Sequence, residues 1–299
     1  MKSFTRNLKH LATALAAAAI GISAVSALGQ EVYKDKDKNK DKGAKIEHSE
    51  GGFCSNNNWS SEGKVSFNEL RELTAPASGT VKVDAGKNGG VSVVGEDRSD
   101  VLIRACVQAW GGSDEAARAA ASNIRISTVG TIKAENLPDE GNASVSFQLA
   151  VPRSTNLDLR AHNGGIVISG VDGTAGFETM NGGVVLKNVS GDVKGRTTNG
   201  GVNVVLTGPT WRGSGLDVTT TNGGVHLSMP ANYAARVEAG TVNGGYSSDI
   251  PALNITTEDI KGDQWQHKAK RINTTLNGGG APIRVITTNG GVRISSQDN

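Results

Sequence analysis

Apolar and polar residues alternate with a period of two in short runs along most of the chain, as in Val81-Lys82-Val83-Asp84 and Leu157-Asp158-Leu159. That period puts successive side chains on opposite faces of a strand, so it predicts half-buried β-strands. Strands are expected around 80–85, 91–94, 101–108, 124–127, 129–134 and 145–149, in a module that opens at Val65 and ends at Pro152. One segment breaks the period. Ser113 can cap the run Asp114-Glu115-Ala116-Ala117-Arg118-Ala119-Ala120-Ala121, whose acids lie where a helix dipole favours them; this predicts one short helix near 113–122.

Beyond Pro152 the chain repeats itself. Asn-Gly-Gly begins at Asn88, Asn163, Asn181, Asn199, Asn222, Asn243, Asn277 and Asn289, where composition alone gives an expectation of roughly 0.4 copies. The intervals are 75, 18, 18, 23, 21, 34 and 12 residues, so 153–299 reads as about six units of about 20 residues. If Asn-Gly makes a two-residue turn, Leu159 with Ile168, Val218 with Leu227 and Val285 with Ile294 share a face. Val81 and Val83 are out of phase with Val91 and Val93, so the turn at Asn88 is expected to be built differently.

Two architectures meet this pattern. In an antiparallel β-meander each Asn-Gly is a type I′ hairpin turn. In an all-β, parallel β-helix-like solenoid each unit is a rung, the glycines turn a corner, and Asn163, Asn181, Asn199, Asn222, Asn243 and Asn289 stack as structural turns with their amides bonded rung to rung. Near-equal spacing and a fixed turn residue are what stacking demands, which favours the solenoid. The 34-residue interval then reads as a rung with an outward loop over 255–270, and the polar Ser295-Ser296-Gln297-Asp298-Asn299 as a stop at the end of the stack.

Composition agrees with a turn-dense β protein. The 299 residues include 40 Gly against 5 Phe, 4 Trp and 3 Tyr, poor material for a helical bundle. Lys2, Arg6 and Lys9 precede an apolar run from Leu11 to Ile22 and the small residues Ser23-Ala24-Val25-Ser26-Ala27, the form of a secretory signal peptide over 1–27. The run is short of the ~20 residues of a membrane span. No later stretch is apolar enough, so no transmembrane segment is expected after cleavage. Losing three basic residues leaves 28 basic against 29 acidic, a near-neutral chain with no field that would draw it to nucleic acid. Residues 28–64 hold the tract Lys34-Asp35-Lys36-Asp37-Lys38 and read as a disordered tether and loop. In an oxidising compartment Cys54 and Cys106 are candidates for one disulfide.

The chain carries no Gly-x-Ser-x-Gly elbow, no His-Glu-x-x-His and no phosphate loop, and its five histidines lack ligand spacing, so neither a cofactor nor a metal site is expected. Glu178, Asp217 and Glu238 are candidate carboxylates, pointing outward in similar places on successive units; solvated strand positions are the simpler account. Trp211 and Trp265, in the longer segments between repeats, are candidate ligand contacts that could stack on a sugar ring.

These residues resemble a known family, the toast-rack group of exported, adhesin-like bacterial β-strand-repeat proteins of unassigned function. The resemblance rests on Val81-Lys82-Val83-Asp84 with Asn88-Gly89-Gly90, on Leu149-Ala150-Val151-Pro152 leading into Leu157-Asp158-Leu159, on the Asn-Gly-Gly series, and on Gly215-Leu216-Asp217-Val218 running through Asn222-Gly223-Gly224 to Met229-Pro230. It covers 65–299. It implies a β-helix-like stack of strands, a place in or outside the cell envelope, and a role in adhesion or envelope-stress assemblies, with no catalytic set to carry over. The lysine-rich tether and the two cysteines are not part of that pattern. The expected function is therefore an exported, non-enzymatic interaction or scaffold surface in the periplasm, at the cell surface or outside. Its expected partner is an envelope or extracellular polymer or an envelope protein. The alternative is a polysaccharide-acting enzyme of β-helix fold.

Overall fold

The computed structural model describes residues 52–54, 63–138, 142–253, 256–259 and 268–297; the expected signal peptide, nearly all of the tether, and Trp265 lie outside the described residues. The elements in chain order are β1 (Val65–Pro76), β2 (Thr80–Asp84), β3 (Val91–Glu96), β4 (Asp100–Gly111), α1 (Asp114–Asn123), β5 (Arg125–Ser127), β6 (Thr131–Glu135) and β7 (Ala143–Pro152). The repeats follow as β8 (Asn156–Ala161), β9 (Ile166–Ser169), β10 (Asp172–Thr179), β11 (Val184–Lys187), β12 (Ser190–Asn199), β13 (Val202–Val205), β14 (Gly215–Asn222) and β15 (Val225–Pro230). The chain ends with β16 (Ala235–Asn243), β17 (Tyr246–Ser248), β18 (Thr256–Asp259), β19 (Lys268–Leu276), β20 (Pro282–Asn289) and β21 (Val292–Gln297).

These strands form two long sheets, ordered β1-β4-β7-β3-β9-β11-β13-β15-β21-β17 (sheet I) and β18-β19-β16-β20-β14-β12-β10-β8-β2-β6-β5 (sheet II). Every Asn-Gly-Gly except that at Asn277 is a corner, not a hairpin turn. The strand before it lies in sheet II, the strand after it in sheet I, and each pairs in parallel with its counterpart in the next rung, as β10 does with β12 and β11 with β13. The solenoid is the fold. The period-2 pattern works because the inward residues of both sheets meet in one core: Leu157, Leu159, Ala175, Phe177 and Val193 from sheet II, and Ile166, Ile168, Val184, Leu186 and Val204 from sheet I are all buried.

The N-terminal module shares this frame, since β2 pairs with β8 and β3 with β9. Asn88 also occupies a corner. Its turn is one residue longer than that at Asn163, and the extra length is absorbed at Gly86, which has a left-handed φ of 65° and donates its N–H to Asp84 Oδ1 at 2.9 Å. Helix α1 has Ser113 as N-cap, its Oγ accepting from Ala116 N at 3.2 Å, and buries Ala117 and Ala121. It packs on β4 and β1.

Two expectations for the C-terminal part are corrected. The 34-residue interval is not a rung with an outward loop: β19 folds back antiparallel on β16, and β18 on β19, so sheet II ends in a hairpin whose Ile272 and Leu276 join the core. Nor does the polar C-terminus end the stack. Strand β21 lies between β15 and β17, and β20 between β14 and β16, so the last rung in sequence is an interior rung in space.

Candidate functional site

The corner is the most regular part of the molecule. Six side-chain amide bonds link seven exposed asparagines: Asn243 donates to Asn289, Asn289 to Asn222, Asn222 to Asn199, Asn199 to Asn181, Asn181 to Asn163 and Asn163 to Asn88, all at 2.7–2.9 Å. All bonds run the same way, so neighbouring amides polarise one another. Each interior Asn uses one N–H and one lone pair of its oxygen within the ladder, which leaves a second N–H and a second lone pair on an exposed residue. The rungs are spaced by the strand separation of ~4.8 Å. The corner thus presents a straight row of amides at that repeat.

Beneath the ladder lies a second one that sequence reasoning missed. Thr179, Thr197, Thr220 and Thr287, each buried and two residues before its Asn, donate their hydroxyls to the carbonyls of Gly164, Gly182, Gly200 and Gly223 at 2.7–2.8 Å, and Thr241 donates to Gly290 O at 2.7 Å. The signal was the recurring Thr-x-Asn-Gly-Gly. The first glycine of each corner triplet is dictated by close backbone packing: a Cβ on Gly182 would overlap the backbone carbonyl of Gly164, and one on Gly200 that of Gly182. Asn277 is outside the ladder. It sits at a left-handed φ of 48° and donates Nδ2 to the carbonyls of Ala231 and Tyr233 at 3.1 and 2.9 Å.

The outer face of sheet II carries two charged rows in register. One runs Lys82, Asp158, Gly176, Lys194, Asp217, Arg284, Glu238; the other runs Asp84, Arg160, Glu178, Arg196, Thr219. The candidate carboxylates lie here, but not as a cluster. Glu178 pairs with Arg196 at 2.7 Å, while Asp217 and Glu238 flank Arg284 at 2.7 and 3.4 Å. Burial works against the charge of Arg284, but the bond to Asp217 and the nearby charge of Glu238 outweigh it and raise its pKa further. This is the charge alternation of a solvated strand face. A shallow depression of about 210 Å³ on the same face is lined by Lys82, Val83, Asp84, Thr131, Asp158 and Arg160.

Trp211 is only 5% exposed and donates its indole N–H to Gly191 O at 2.9 Å; it is a core side chain that closes the segment before β14. Cys54 and Cys106 are joined, with their Cα atoms 5.2 Å apart. Cys106 is on the outward-facing side of β4 yet only 4% exposed, so the bridge holds residues 52–54 against the outside of sheet I. His226, on the outer face of sheet I, shares a 2.9 Å hydrogen bond with Ser295 Oγ, and burial, reinforced by Arg293, holds its pKa below the ordinary 6.5 against the opposing pull of Asp249. Among the described residues no three His, Cys, Asp or Glu side chains are grouped to hold a metal ion, and no helix is long and apolar enough to cross a membrane.

The chain is similar at low identity to several solved structures. One is described as a "putative cell adhesion protein" of Clostridium sporogenes, at 11% identity and a TM-score of 0.38, covering 77% of this chain and 100% of that one. Another, described as a "putative adhesin" of Bacteroides fragilis, has 12% identity and a TM-score of 0.25 over 77% and 97% of the two chains. A third, described as a "putative lipid binding protein" of Parabacteroides distasonis, has 8% identity and a TM-score of 0.30 over 76% and 96%. No curated protein matches the chain. Residues 61–295, which hold both sheets and every ladder asparagine, match the Toastrack DUF4097 family, and the chain belongs to it.

Proposed function

We propose that this is an exported, non-enzymatic binding protein whose rigid corner and flanking sheet II face take up an extended envelope or extracellular polymer. The observation that carries this reading is the ladder: seven exposed asparagines in one line, joined by six bonds, leaving donors and acceptors of fixed spacing. A polymer with regularly placed hydroxyls meets such a row without the entropic cost of ordering separate loops. The leader pattern of 1–27 and the Cys54–Cys106 bridge support export. The pairing of Glu178, Asp217 and Glu238 with arginines supports a surface role for these carboxylates.

Co-sedimentation of the exported chain with insoluble cell-wall and extracellular polysaccharides, with assay of the same tubes for new reducing ends, tests the reading. Binding without product is expected. Product release would replace it with a polysaccharide-acting enzyme, and absence of both signals would move the role to a protein partner in the envelope.

A further inference from the structure

The terminal rung, β20 with β21, fills a slot whose walls precede it in the chain. It lies between β14 and β16 in sheet II and between β15 and β17 in sheet I, paired in parallel on every side. Both walls match it residue for residue: Leu216, Ile283 and Val237 share a register, as do Val218, Val285 and Ala239, and Asn222, Asn289 and Asn243. Ile283, Val285, Val292 and Ile294 are buried there. An identical rung from another chain would make every one of these contacts. What ties the rung to its own chain is the turn 277–281 between β19 and β20. Three consecutive residues of that turn are left-handed, Asn277 at a φ of 48°, Gly278 at 88° and Gly279 at 86°. That backbone is adopted routinely only by glycine, and by single residues. The closed turn is held by Gly279 N, which donates to Leu276 O at 2.9 Å, and by Asn277 Nδ2 on the carbonyls of Ala231 and Tyr233. Short connections under such strain are where identical chains exchange elements, because straightening the connection releases the strain while the other contacts are remade.

We propose that the slot takes the terminal rung of a second copy of this chain: two chains straighten 277–281 and exchange β20–β21, each completing the other's stack. The rung comes last in the sequence, so its transfer unthreads nothing, and both walls of the slot are complete before it. Each copy gives one rung and fills one slot, which closes the assembly at two. The turn lies where the strands of sheet II start, with Pro282 opposite Arg236, while the ladder lies where they end, with Asn289 opposite Asn243. Exchange therefore joins the copies along the edge away from the ladder. It does not depend on what the ladder binds.

The test places one thiol on each side of the slot. Thr219 of β14 and Ile286 of β20 are partners in register, and the two native cysteines are already joined to each other. Copies of the exported chain carrying Thr219→Cys are mixed with copies carrying Ile286→Cys, unfolded with the native disulfide intact, refolded together at high concentration and treated with a short thiol-to-thiol cross-linker. Links between unlike copies are expected, since these form when β20 of one chain lies beside β14 of the other. A chain carrying both substitutions shows that the reagent spans the pair. Two changes in the turn should move the yield in opposite directions. Gly278→Val strains only the closed turn, because a Cβ there meets nothing within 4 Å while a φ of 88° opposes a β-branched residue; the exchanged fraction should rise roughly tenfold. About four Gly and Ser residues inserted after Gly279 relax the turn and should lower it. Should Gly278→Val fail to fold, the lengthened turn decides alone. Unlike copies that do not link when the doubly substituted chain does, links equally frequent between like copies, or a yield indifferent to the turn would each overturn the inference.

Discussion

Asn222 accepts its ladder bond not from the next asparagine in the sequence but from Asn289, 67 residues further on, at 2.8 Å, and Asn243 in turn donates to Asn289. The last rung is therefore wedged between two rungs made earlier, with β20 held by both β14 and β16 and β21 by β15 and β17. Deleting 281–299 removes an interior layer, not an end. Ile283, Val285, Val292 and Ile294 leave the core, and β16 with its hairpin loses its bond to the rest of the stack. The expected outcome is loss of the single cooperative urea transition, whereas removal of a terminal rung would shift the midpoint and keep it.

Within the ladder, the cost of losing an amide depends on its neighbours. Asn199 both donates to Asn181 and accepts from Asn222, so Asn199→Ala removes two bonds at 2.7 and 2.8 Å and interrupts the polarised row. These groups are solvent-accessible and rehydrate, which limits the loss to about 1–2 kcal/mol by denaturant unfolding. Asn243 only donates in the ladder, so Asn243→Ala is expected to cost about half as much. Equal losses at both sites would deny the ladder its stabilising role. If the ladder also binds polymer, Asn199→Asp weakens co-sedimentation while retaining the corner's shape.

How much of this was legible follows from where the information is local. The corners were readable because a stacked turn constrains its own letters: a carbonyl above excludes every side chain at Gly164, Gly182 and Gly200, and the ladder needs a short amide at the residue before. The same Thr-x-Asn-Gly-Gly at 275–279 serves another end, because β19 runs antiparallel to β16 and its turn uses left-handed Asn277, Gly278 and Gly279. No local pattern separates the two uses. The insertion of β20 between β14 and β16 was equally hidden, since a rung's letters specify that it stacks but not between which neighbours. Strand β1 escaped the period-2 pattern because it turns Glu69 and Arg71 inward, where Arg71 donates to Ala121 O at 2.9 Å and to Ile124 O at the end of α1. The burial of Trp211 depends on a carbonyl 20 residues away, on another rung.

The two glycines of one triplet should respond differently to alanine. A Cβ on Gly182 meets the Gly164 carbonyl, which is fixed in the stack, so relief requires the rungs to separate; Gly182→Ala is expected to cost ~3 kcal/mol or more. A Cβ on Gly183 has Gly201 O at 3.5 Å, an ordinary contact, and Gly183→Ala should cost less than ~1 kcal/mol. Thermal melts of the two variants side by side check this, and similar losses would mean that the corner's backbone, not its stacking distance, selects glycine.

The arginine-paired carboxylates give a direct discrimination between surface and chemistry. Arg284 and its two partners are each more than a third exposed, so their pairing is screened by water. Combined Glu178→Gln, Asp217→Asn and Glu238→Gln should lower stability by no more than about 1 kcal/mol per pair broken. Polymer binding in co-sedimentation should persist. A product-forming activity present in the wild type and abolished by this triple variant would show that these groups do chemistry.

His226 contributes to the acid side of the stability profile. Burial is the main reason its imidazole resists protonation when folded, so its folded pKa lies below the 6.5 of the unfolded chain. Between those two values the unfolded chain binds more protons than the folded one, so stability falls as pH drops below 6.5 and is fully present above it. Protonation does not sever the bond to Ser295, because the hydroxyl can accept as well as donate; what destabilises is a half-buried charge beside Arg293. His226→Gln keeps a hydrogen-bonding group without the titration. Denaturant midpoints measured at stepped pH from neutral to mildly acidic should fall for the wild type and fall less for the variant, and parallel curves would assign the acid sensitivity to other groups.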